Sequence, residues 1–216
     1  SHLSALSKLL VNTGKYDVSQ LIYEHTMFPI YAPFVNENIR SRAMARMEKR
    51  SQGSVHLMLG ASASIVKMSD ALRACPVCVA EQEQKYGESY WSRLLFLPSF
   101  PYCFEHGFLN QSSVSYHDNR HTYHACSRVQ CHSYQPCENT KTAQMRYLAQ
   151  KAQGLLHLPS QDSPTNEQWG RFYNYLAHDF GCGKGAKQVS HEKVADLVVS
   201  KIAIPELSFG LDKETN

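Results

Sequence analysis

Two pairs of metal-type ligands constrain this chain more than any other feature. Cys75 and Cys78 stand two residues apart, and Cys103 and His106 repeat that spacing beyond the stretch VAEQEQKYGESYWSRLLFLPSFPY. Zinc takes four sulfur or nitrogen ligands in a tetrahedron. Cys-x2-Cys lets two thiolates reach one ion from a tight turn, which Pro76 stiffens, and Gly107 releases the chain after the second pair. Four protein ligands leave no open coordination position, so the spacing predicts a structural zinc ion. The intervening QEQKYGESYWSRLLFLP is expected to form a helix whose aromatic side covers the metal. A redox-active Cys-x-x-Cys would want a βαβ surround, which the pattern lacks.

A second cluster follows. Cys126, Cys131 and Cys137 are crowded by His117, His121, His124 and His132. Three thiolates and one imidazole would close a second tetrahedron. If 121–126 is extended, His124 and Cys126 share a face, which favours His124 as the fourth ligand over His121 or His132. The alternative is a surface loop merely rich in His and Cys. Cys182 in GCGKG reads as a packing residue.

The chain has 216 residues, 43% of them apolar, which suffices for one large domain or two small ones. An odd count of seven cysteines, close-spaced, points to metal rather than to a secreted disulfide framework. The expectation is a reducing, cytoplasmic setting. No apolar run is long enough for a membrane span, and no signal peptide is legible.

Helical periodicity places helices at 2–13, at VSQLIYEHT behind an Asp17 cap, and at ENIRSRAMARMEKRSQ behind an Asn36 cap. Others fall at TAQMRYLAQKAQGLL, at NEQWGRFYNYLAHDF behind a Thr165/Gln168 capping box, and at HEKVADLVVSKIA behind Ser190. The predicted fold is mainly α with small zinc-stapled modules. Its parts are an N-terminal helical region (1–70), two zinc-finger or zinc-ribbon modules (71–140) and a helical region (141–216).

The net charge of +3 is mildly basic and fits an anionic partner only loosely. Arg42, Arg46 and Arg50 recur every four residues on one helix, flanked by Arg40 and Lys49, a spacing that can follow phosphates. A solvated helix face beside Glu37 and Glu48 is the plainer reading. Lys184, Lys187 and Lys193 surround a Gly-rich turn between two helices. This suits a helix-turn-helix that offers His191, Glu192 and Lys193, although the turn is longer than the tight version. Simple helix packing is the alternative. Tyr90 and Trp91 inside the metal loop, and the Trp169, Phe172, Tyr173 stripe, read as core. An enzyme reading finds little support: there is no H-x-E before the cysteines, no zinc-protease helix and no G-x-S-x-G.

CPVC, then YGESYW with Arg93, then LP, then C-x2-H-G resembles the signature of the TniQ/TnsD proteins, target-selection subunits of transposons that include CRISPR-associated ones. EHTMFPIYAPF, ALRACPVC, MRYLAQKAQGLL and EQWGRFYNYLAHDFG are similar to other segments of that family. Cys75, Cys78, Cys103 and His106 match its zinc ligands one for one. The family's proline-rich opening is missing, and many members run longer, so a fragment is expected. The resemblance implies a bacterial cytoplasmic adaptor rather than an enzyme. It would mark the target site and recruit an AAA+ ATPase of the TnsC kind. TnsD-type members read a fixed attachment site in DNA, the reading favoured for this chain. TniQ-type members dock on an RNA-guided CRISPR effector complex. A zinc-ribbon nucleic-acid binder outside transposition is the further alternative.

Overall fold

The computed structural model describes residues 3–49, 55–63, 71–97, 103, 105–106, 110–115, 122–126, 142–159, 161–185 and 188–202. In chain order the helices are α1 (Leu3–Leu9), α2 (Val18–His25), α3 (Phe28–Tyr31), α4 (Glu37–Glu48), α5 (Val55–Met58), α6 (Pro76–Tyr86), α7 (Thr142–Leu156), α8 (Asn166–Asp179) and α9 (His191–Ile202). The strands β1 (Ala71–Ala74) and β2 (Asn110–Ser115) pair antiparallel. The described residues of Ser1–Ile65 and Gly154–Lys201 form one compact unit, and those of Val66–Gln153 another. No described helix is long and apolar enough to cross a membrane.

In the first unit local sequence sets the helix starts. Asp17 accepts from the Gln20 amide while the Gln20 side chain accepts from the Asp17 amide. Thr165 and Gln168 repeat this box at α8, and Asn36 accepts from the Ile39 amide at α4. Each device satisfies amides that a helix start leaves without partners. Ile22, Phe28, Ala32, Ala43 and Leu59 pack as the core.

Charged and polar contacts fasten the α8 side of this unit onto α3 and α4. Arg40 grips Glu37 with two bonds, Nε to Oε2 at 2.7 Å and Nη2 to Oε1 at 2.6 Å, and donates to the Tyr23 hydroxyl at 2.8 Å. Glu37 Oε2 also accepts the Ser163 amide at 3.1 Å. The Ser163 hydroxyl donates to the Ala32 carbonyl, and Trp169 Nε1 donates to the Pro33 carbonyl, both at 2.8 Å. These bonds group 154–201 with the N-terminal helices rather than apart from them.

The stripe on α8 corrects the expectation of core. Trp169 is half-buried, stacked on Phe34 and Tyr173, whereas Phe172 and Tyr173 remain 53% and 50% exposed. Periodicity finds an apolar face but does not say what covers it. Between α8 and α9 the chain makes a compact crossing. Gly183 and Val189 form an isolated bridge, the Lys184 amide donates to the Gln188 carbonyl at 2.7 Å, and Cys182 is buried.

The second unit is organised by the β1–β2 ribbon, with Arg73 opposite Gln111 and Ala74 opposite Asn110. Cys75 follows β1 directly and His106 lies shortly before β2, so the ribbon brings both ligand pairs to one end.

Candidate metal centre

The first pair is not held by a free turn. Cys75 is the N-cap of α6, Pro76 occupies its first turn, and the Val79 amide donates to the Cys75 carbonyl at 2.9 Å. Proline suits this place because its missing N–H would have had no helical partner. Cys78 therefore sits in the first helical turn, on the side of Cys75. The helix ends at Gly87, whose φ of 79° lies in the left-handed region open to glycine. The expected helix over QEQKYGESYWSRLLFLP is thus displaced. It starts earlier, inside CPVC, and stops at Gly87, with only a short 3-10 turn at Arg93–Phe96.

The four ligand atoms converge. Cys78 Sγ lies 3.5 Å from Cys103 Sγ. His106 Nδ1 lies 3.6, 3.3 and 3.9 Å from the sulfurs of Cys75, Cys78 and Cys103. All four atoms fall within 4.8 Å of one another and can hold a metal ion. A tetrahedral ion with bonds of about 2.3 Å to sulfur and about 2.0 Å to nitrogen has edges of roughly 3.5–3.8 Å. The observed separations fit that frame. Cys75 and Cys103 are buried, with Leu95 and Phe96 packed against them, which keeps water from competing.

Hydrogen bonding toward Cys103 pushes the Cys75 thiol up to about 11 and raises Cys78 as well. The same bonds, from Cys75 and then Cys78, hold Cys103 at about 2. One thiolate is thus stabilised at its neighbours' expense. Binding of a divalent ion would take all three sulfurs as thiolates.

The insert between the ligand pairs also anchors the chain that follows. Trp91 Nε1 donates to the His124 carbonyl at 2.7 Å, and the Ser89 hydroxyl donates to the Cys126 carbonyl at 2.8 Å. Trp91 is half-buried, but Tyr90 is 52% exposed and is not core. Cys126 is buried against Ala74 and Val79, and His124 is half-buried. Cys131, Cys137, His121 and His132 lie outside the described residues, as does His117. A groove of about 730 Å³ opens beside the first cluster, lined among others by Tyr86, Tyr90, Lys85 and Arg146.

The basic residues divide. Arg42 and Lys49 are exposed and Arg46 is half-buried on α4. Arg40 corrects the phosphate-contact expectation: it is 8% exposed and committed to Glu37 and Tyr23. Glu37, three residues earlier on the same helix, was the signal for that pairing. Lys184 and Lys193 are exposed, and Arg50 and Lys187 lie outside the described residues. Sequence reasoning missed Glu81. Its carboxylate lies 3.4 Å from His106 Nε2, and its place three residues after Cys78 marks it once α6 is known to begin at Pro76.

Residues 1–109 match the TniQ family model, and the chain belongs to that family. It is 44% identical over 200 residues to the Transposon Tn7 transposition protein TnsD of Escherichia coli. The match covers 92% of this chain and 39% of that protein, so the chain spans well under half of its relative's length.

Proposed function

We propose that this chain is a target-selection adaptor in transposition: it engages insertion-site DNA and recruits an AAA+ ATPase of the TnsC kind. The observation that carries the reading is the 44% identity to TnsD, extending over nearly the whole chain. The same similarity favours a TnsD-type reader of an attachment site over docking on an RNA-guided CRISPR effector complex. The role proposed is that of a bacterial cytoplasmic scaffold without catalysis.

In this account Cys75, Cys78, Cys103 and His106 hold a structural zinc ion, and His124, Cys126, Cys131 and Cys137 hold a second. Zinc would supply the cross-link between ribbon and helix, since four protein ligands leave no position for a substrate. Arg42 and Arg46 on α4, with Lys49 and Arg50, contact phosphates, together with Lys184, Lys187 and Lys193. The crossing between α8 and α9 then serves as a helix-turn-helix, with α9 presenting its N-terminal residues to a groove. Exposure of Arg42, Lys49, Lys184 and Lys193 supports this assignment.

The test is binding to labelled duplex from the chromosomal site flanking the host element, with excess competitor, at two salt concentrations. Retention on that duplex alone is expected. Arg46→Ala should weaken binding across sequences and reduce the salt slope by about one. Indiscriminate, salt-sensitive binding would overturn attachment-site reading. A parallel capture assay with the purified ATPase tests recruitment, and no association would remove that role.

A further inference from the structure

We infer that Glu81 is the positioning residue of the first metal centre: it accepts the Nε2 proton of His106 and so holds Nδ1 toward the three sulfurs. The inference rests on the proposed zinc reading of that centre.

The argument starts from the two nitrogens of the ring. Only one nitrogen of a neutral imidazole carries a lone pair free for a metal; the other carries the proton. In His106 the Nδ1 atom faces Cys75, Cys78 and Cys103, at 3.3–3.9 Å. Nδ1 must then be the bare nitrogen, and Nε2 must hold the hydrogen. A free imidazole has no strong reason to choose that tautomer or that ring angle. An acceptor beside Nε2 supplies the reason, because a carboxylate there stabilises the N–H and makes the opposite nitrogen a better donor to a metal.

Glu81 stands in that place, with Oε1 3.4 Å from Nε2. It is also carried by the element that carries Cys78. Both lie on α6, three residues apart, so they project from one helix face. The helix thereby sets one ligand directly and orients another from the second ligand pair. His106 is largely buried while the Glu81 carboxylate stays more than half exposed, so replacing it removes no core packing. Glu105 belongs to the same neighbourhood of ligand-type atoms, within 4.8 Å of Cys78, Glu81 and His106. It offers a like charge, which separates an orienting bond from a general negative field.

The experiment measures zinc affinity of the full chain by competition with a chromophoric chelator, for the native protein, Glu81→Ala, Glu81→Gln and Glu105→Ala. Glu81→Ala should lose affinity about 10- to 100-fold, the usual effect of removing such a partner. Glu81→Gln should recover most of it, because the amide oxygen still accepts Nε2–H. Glu105→Ala should stay near native. Proton NMR of the zinc-loaded chain gives an independent readout: the His106 Nε2–H should exchange slowly with solvent in the native chain and in Glu81→Gln, and faster in Glu81→Ala. Native-like affinity and Nε2–H exchange in Glu81→Ala would overturn the inference and leave the zinc reading standing. An equal loss in Glu105→Ala would also overturn it, in favour of a field effect. A native chain that takes up no zinc at all would overturn both.

Discussion

The two units solve the same problem with different materials. The helical unit has an apolar core of Ile22, Phe28, Ala32, Ala43 and Leu59, reinforced by the Arg40–Glu37–Ser163 clamp. Among the described residues of the ribbon unit, two of the four residues in one buried cluster, Cys75 and Cys103, are metal-type ligands. In the proposed zinc reading a bound ion would cross-link this frame. The contrast predicts that stability in the first unit is spread over many contacts, whereas in the second it depends on the four ligand atoms.

Breaking that contrast should have its largest effect at the four atoms. Cys75→Ser removes a ligand from a site where metal binding and folding are one equilibrium. The expected outcome is loss of the first metal and of ordered structure in β1 and α6, read by metal analysis and limited proteolysis, while the helical unit keeps its protection. A variant that stays folded with its metal would show that the ribbon stands without the tetrad.

Next comes the apolar core. Ile22 is 1% exposed, and Ile22→Ala should cost about 2–5 kcal/mol in urea unfolding. Metal content should not change, which is the mirror image of the first result.

The clamp ranks third. Arg40→Ala removes the guanidinium that donates to Glu37 and to the Tyr23 hydroxyl and should cost roughly 1–3 kcal/mol. It also predicts a pH dependence. Hydrogen bonding to Arg40, then to Ser41, lowers the Glu37 carboxyl from 4.5 to about 2. A depressed carboxyl binds its proton more readily in the unfolded chain. Its contribution is therefore full above pH 4.5 and lost as pH falls through about 2. Arg40→Ala should flatten that part of the acid unfolding profile, and an unchanged profile would remove Glu37 as its source. The smallest effect belongs to the α4 cap: Asn36→Ala should cost about 1 kcal/mol by thermal melting.

These four positions were unequally visible in the sequence. The metal tetrad is written in two short spacings, and the caps at Asp17, Asn36 and Thr165 are written within three residues each, because the physics behind them is local. The start of α6 was obscured because Cys-x2-Cys also suits a turn, although Pro76 at a first helical position carried the signal. Without that start Glu81 had no visible relation to His106. The Glu37–Ser163 bond was beyond reach because it joins residues 126 positions apart. Tertiary structure also decided Arg40, which shares a helix with the basic row but turns inward to its acid partner. The α8 stripe was legible as periodicity, but its exposure depends on which surfaces meet it.

The measurement that tests the central contrast most directly is hydrogen exchange of the intact chain during stepwise removal of metal by a chelator. The account predicts that amides of α6 and β1 lose protection as metal leaves, while those of α2, α4 and α8 keep theirs. Simultaneous loss in both units, or no loss in either, would contradict it.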